Sequence, residues 1–149
     1  MNSAFRIWAS IVSVAIIVQV GLASYGAFNA VNEAHDKGTI GKDTVSDGFG
    51  AHAALGYIIF LAALILLVLA FVSRRADGPS RVKWSGAVAG LLVVQILLAW
   101  AGGASSWLGV LHGMNALAVA GVAGSLAGRE WAAHRGVGSA RAPDPAARV

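Results

Sequence analysis

The sequence predicts an all-α protein, an up-down-up-down bundle of four membrane-crossing helices made of two repeated hairpins, with both termini cytoplasmic. Three observations predict it. The 149 residues are 57% apolar and only 12% charged, with a mean hydropathy of +0.70, a balance that suits a small polytopic membrane protein and not a soluble domain. Four apolar stretches, at residues 7–28, 49–73, 82–102 and 107–128, each reach the ~20 residues needed to cross a bilayer. A segment of the first stretch recurs in the third, and a histidine follows each copy in the next stretch.

The first stretch has Arg6 before it and small residues such as Ala23 and Ala27 after it. That resembles a signal-peptide core, but the apolar run is long for one and reads as a retained span. Between the first and second stretches, residues 29–48 are rich in Gly, Asp, Asn and Lys and read as turns. Within them, Asp43-Thr44-Val45-Ser46-Asp47 is a candidate N-terminal cap for the second helix. The second and third stretches are joined by a basic loop holding Arg74, Arg75, Arg81 and Lys83, whereas Gly103-Ala104-Ser105-Ser106 between the third and fourth has no charge. Residues 129–149 add Arg129, Arg135, Arg141 and Arg148. Positive charge collects in cytoplasmic loops, which sets the orientation. Residues 129–149 lack apolar periodicity and read as a disordered cytoplasmic tail.

The net charge of +4 comes from residues flanking the spans and not from a basic face, so nucleic acid is not an expected partner. The absence of cysteine excludes disulfides, thiolate-ligated zinc, iron–sulfur clusters and covalently attached haem. No nucleophile–base–acid set and no phosphate loop is present.

The repeat aligns Val18-Gln19-Val20-Gly21-Leu22-Ala23-Ser24-Tyr25-Gly26 with Val94-Gln95-Ile96-Leu97-Leu98-Ala99-Trp100-Ala101-Gly102. Each copy leads through a connection to a histidine in an Ala/Gly-rich helix, His52-Ala53-Ala54-Leu55-Gly56 and His112-Gly113-Met114-Asn115-Ala116. The second and fourth helices run in the same direction, so His52 and His112 are expected at one depth near the outer face, level with Gln19 and Gln95. Ionisable groups in hydrocarbon are costly and are functional candidates by default. Gly56 and Ala116 lie one turn deeper than the histidines on the same helical faces. Nearly bare backbone beside two facing imidazoles suits a slot for a flat macrocycle.

These features predict one b-type haem, with iron held by His52 and His112. Gln19, Gln95 and Asn115 are candidate hydrogen-bond partners for the ring nitrogens not bound to metal. The implied role is electron transfer or haem handling, in a membrane redox assembly or a homo-oligomer. The structural alternative is that the histidines only cap or cross-link helices. The chain would then be a cofactor-free subunit packing against partner membrane proteins through the ridges Gly109/Gly113 and Ala120/Gly124/Gly128. His35 and His134 read as solvated surface residues, and Tyr25, Tyr57 and Trp100 as interface and packing aromatics.

The segment from Leu92-Val93-Val94-Gln95 through Leu111-His112-Gly113-Met114-Asn115-Ala116-Leu117 resembles a four-helix half of haem A synthase. The resemblance implies a haem-holding histidine pair on the second and fourth helices. The whole chain looks more like a group of small actinobacterial four-helix membrane proteins without an assigned activity, through His52, Leu55, Gly56 and Tyr57 and through Leu111, His112, Asn115 and Ala116. Where the catalytic half of haem A synthase carries a glutamate and a basic residue around its second-helix histidine, this chain has Phe49 and Ala53. That departure implies a cofactor-holding bundle without the synthase's acid chemistry.

Overall fold

A computed structural model describes residues 2–77 and 80–140, with side chains placed at 3–73 and 80–136. Its elements are α1 (Asn2–Lys37), α2 (Lys42–Asp77), α3 (Ser80–Ala101), a short 3-10 turn (Gly102–Ala104) and α4 (Ser106–Ala140), with no strand among the described residues. All four α-helices are long and apolar enough to cross a membrane.

The helices pack along one repeating stripe. Buried positions on α1 are Phe5, Ala9, Val12 and Ile16, and on α2 Ile59, Ala63, Leu66 and Ala70. On α3 the stripe is Arg81, Ser85, Val88 and Leu92, with Ala89 buried beside it, and on α4 Val119, Ala123 and Leu126, with Ala127 beside it. In all four the spacing alternates four and three residues, the period that keeps one seam facing its neighbours. Elsewhere large apolar side chains such as Ile17, Ile58, Val68 and Leu117 are exposed, as lipid-facing residues would be.

The helices reach well beyond the apolar stretches, which corrects two expectations. Residues 29–48 are not a run of turns: only 38–41 leave the helical state, and Gly38 turns the chain with φ of 70°. The capping signal is real but its user is Thr44, whose Oγ1 accepts the Gly41 N–H at 3.3 Å, half of a capping box. Likewise the tail does not begin at 129, since α4 continues to Ala140. Glu130 ties that extension down through an ion pair with Arg81, so helix propensity and one buried pair outweigh the lost apolar period. Residues 141–149 lie outside the described residues, as do the side chains of Arg74 and Arg75. At the other end Ser105 opens α4, its Oγ accepting the Trp107 N–H at 3.3 Å.

Candidate functional site

The core stripe, continued beyond Ile16 and Ile59, reaches Gln19 on α1 and Gly56 and His52 on α2. Beyond Leu92 and Val119 it reaches Gln95 on α3 and Ala116 and His112 on α4. The imidazoles therefore point into the bundle because they occupy core positions. Their ring centroids are 6.3 Å apart with an interplanar angle of 63°.

Each hairpin holds its histidine with the same reciprocal clasp. In the first, the Gln19 amide donates from Nε2 to the His52 carbonyl at 2.7 Å, and His52 Nδ1 bonds the Gln19 carbonyl at 3.1 Å. In the second, Gln95 Nε2 donates to the His112 carbonyl at 3.0 Å, and His112 Nδ1 bonds the Gln95 carbonyl at 3.1 Å. A carbonyl oxygen only accepts, so both rings carry their proton on Nδ1. In the neutral imidazole Nε2 is then left with its lone pair. The glutamines thus serve the rings through main-chain oxygens rather than through their amide groups, which grip the histidine backbone instead. A side-chain pattern cannot specify that exchange.

Asn115 does not touch an imidazole. It donates from Nδ2 to Gln95 Oε1 at 2.6 Å and to the Leu91 carbonyl at 2.9 Å, bracing the second clasp from behind. The equivalent position on α2 is Leu55, and Gln19 Oε1 is buried without a partner. Gly56 also has a purpose other than the expected bare surface. A Cβ there would meet Gln19 Nε2 at 3.0 Å, so the glycine makes room for the clasp. Ala116, its counterpart, lines a cavity.

Two clefts flank the ring pair, one on each side. A cavity of about 180 Å³ lies between α2 and α3, lined by Ala53, Tyr57, Ala99 and Trp100 as well as the Gln/His layer. One of about 200 Å³ lies between α1 and α4, lined by Val20, Ala23, Gly113, Ala116 and Leu117. The two exchange under the same pairing of helices that exchanges the clasps. Tyr57 and Trp100, expected as packing aromatics, line the first cleft, with Trp100 Nε1 donating to the Tyr57 hydroxyl at 3.2 Å. Phe49 sets its edge against His52, ring centroids 6.3 Å apart. A Cβ on Gly26 would come within 2.6 Å of that phenyl ring. His35 and His134 are exposed.

Among the described residues no group of three or more His, Cys, Asp and Glu could hold a bare metal ion. Fold and site together define a four-helix protein with membrane-length apolar helices and a paired Gln–His layer near one end. No family model matches the sequence, and neither a curated protein nor a solved structure is significantly similar to it.

Proposed function

We propose that this is a multi-pass membrane protein of the cell membrane that holds one b-type haem between His52 and His112, near the outer face, for electron transfer or haem handling. The observation that carries the reading is the ring separation of 6.3 Å combined with Nδ1 of both rings committed to carbonyls. Metal–imidazole bonds of about 2 Å, with about 1.1 Å more from each nitrogen to its ring centre, would put two imidazoles that share one iron about 6.2 Å apart. Rotation about those bonds leaves the interplanar angle free, so 63° is compatible. The porphyrin supplies the other four donors. It would occupy the clefts beside the rings, whose walls carry the small residues Ala53, Gly56, Gly113 and Ala116. Bis-imidazole haem supplies a reversible one-electron change without an open coordination position. The chain's own contribution is orientation: the Gln19 and Gln95 carbonyls fix the tautomer and aim of each ring.

The test is an absorption spectrum of the protein purified after expression with ample haem. A Soret band with sharp reduced α and β bands is expected, lost in His52→Ala and in His112→Ala alike. A colourless wild-type protein would end the proposal, leaving the rings as an edge-to-face contact between packed helices.

A second reading, a cofactor-free subunit for partner membrane proteins, draws on α4. Gly109, Gly113 and Gly128 are exposed, and a Cβ at any of them would meet nothing within 4 Å. Under that reading His52→Gln and His112→Gln leave function intact, while a bulky residue at Gly109 or Gly128 abolishes co-purification of a partner.

A further inference from the structure

The end of the bundle away from the imidazoles is built from arginine and tryptophan. Between α3 and α4 there is a cavity of about 250 Å³ lined by Ser80, Arg81, Trp84, Leu126, Arg129 and Glu130. Glu130 is fully engaged, its Oε1 accepting from Arg81 Nε at 2.8 Å and its Oε2 from Arg81 Nη2. Arg129 is not. Its guanidinium lies over the Trp84 ring, 4.3 Å from the centroid, and no carboxylate among the described residues pairs with it. On the opposite flank of α4, Arg6 lies over the Trp131 ring at 4.5 Å. Its Nε is buried without a hydrogen-bond partner. Trp131 is itself pinned, Nε1 donating to Ser10 Oγ at 2.9 Å.

We propose that this end binds anionic phospholipid, one headgroup phosphate at Arg129 in the α3/α4 cleft and a second lipid's phosphate, more weakly, at Arg6 on the far side of α4. An arginine stacked flat on an aromatic ring keeps its in-plane N–H groups free in a fixed fork, the geometry that takes phosphate oxygens in pairs. Half-exposed tryptophans mark the headgroup level of a bilayer. Basic pockets between membrane helices at that level take anionic headgroups. Glu130, which lines the same cavity, is held by Arg81 and does not compete for Arg129. The Ser80 hydroxyl lies on the same cavity wall as a further donor. The proposal depends neither on which side of the membrane this end faces nor on haem.

The experiment is native mass spectrometry of the detergent-solubilised full chain, titrated with phosphatidylglycerol and with phosphatidylcholine of identical acyl chains. Phosphatidylglycerol is expected to be retained preferentially. Arg129→Gln should lower its retention about fivefold, and adding Arg6→Gln should lower it again by a smaller factor. Lys83→Gln, which removes the same charge from an exposed position outside the cavity, should leave retention unchanged, and Arg129→Lys should fall between. Equal retention of the two lipids by the wild-type protein overturns the proposal without recourse to any variant. A Lys83→Gln loss as large as that of Arg129→Gln also overturns it, by showing general charge attraction. Inorganic phosphate is added at high concentration as a competitor. Full displacement of the lipid by phosphate would reassign the site to a soluble anion, and persistence of the lipid supports the headgroup.

Discussion

The two hairpins share a clasp and differ in what stands behind it. In α1–α2 the support around the clasp is apolar: Leu55 packs against the core, Phe49 abuts His52, and the stripe runs on through Phe5 and Ala70, with Trp8 Nε1 bonded to the Ala62 carbonyl beside it. In α3–α4 it is polar: Asn115 braces Gln95, and the positions equivalent to Phe5 and Ala70 are Arg81 and Glu130, joined as an ion pair. The halves even meet across the divergence, with Arg81 lying over the Phe5 ring at 4.7 Å. What the copies keep in common is the aim of a ring nitrogen. What each was free to change is how the surrounding helices are fastened. The difference implies a second hairpin that is more strongly specified and a first that packs mainly by shape.

The comparison can be broken most severely at the ion pair. Glu130→Ala leaves Arg81 in the bundle without its bidentate partner and is expected to cost about 3 kcal/mol, measured by unfolding in mixed detergent. Replacing both partners by the first hairpin's residues, Arg81→Phe with Glu130→Ala, should recover stability to within about 1 kcal/mol of wild type. Failure of the double variant to recover would show that the pair does more than fill space. The clasps come next. Gln95→Leu should cost about 1–2 kcal/mol, because it removes two bonds at once, that from Asn115 to Gln95 Oε1 and that from Gln95 to the His112 carbonyl. Gln19→Leu should cost about 0.6 kcal/mol or less, since it removes an unpartnered acceptor together with one bond. Equal costs would erase the distinction between the halves. In the opposite direction, Leu55→Asn offers Gln19 Oε1 the donor it lacks and should stabilise by about 0.6 kcal/mol. The smallest effect is expected at the cleft mouth, where Tyr57→Phe removes the exposed bond to Trp100 and should change stability by under about 0.5 kcal/mol.

Much of this was legible in the sequence because hydrocarbon-length apolar runs make polar residues conspicuous. Three of the four stretches fall inside helices and the third overruns α3 by one residue, Gly102, while the matched Gln19/Gln95 and His52/His112 positions fall in one layer. The helical extensions were harder to read. Residues 29–37 and 42–48 carry turn-forming types, yet one capping threonine and one left-handed glycine suffice to carry two helices almost to contact. Arg81 and Glu130 look like ordinary flanking charges, since nothing local marks two residues on different helices as partners. The clasps lay beyond reading for a different reason. Their acceptors are main-chain carbonyls, which every residue has, so a search among side chains pointed to the amides of Gln19, Gln95 and Asn115. Gly56 lines both clefts as a bare surface would, and its second use, room for the Gln19 amide, is hidden because a missing Cβ does not announce which neighbour uses the space.

Both clasps lie within a hairpin, and neither joins one hairpin to the other. The spacing of the two imidazoles is therefore set by the packing between the hairpins and by the Trp100–Tyr57 and Trp131–Ser10 bonds that cross it, as in a pair of calipers. A slight roll of one jaw would widen or narrow the gap with every ring-fixing bond intact, so the distance between the rings can change without either losing its aim.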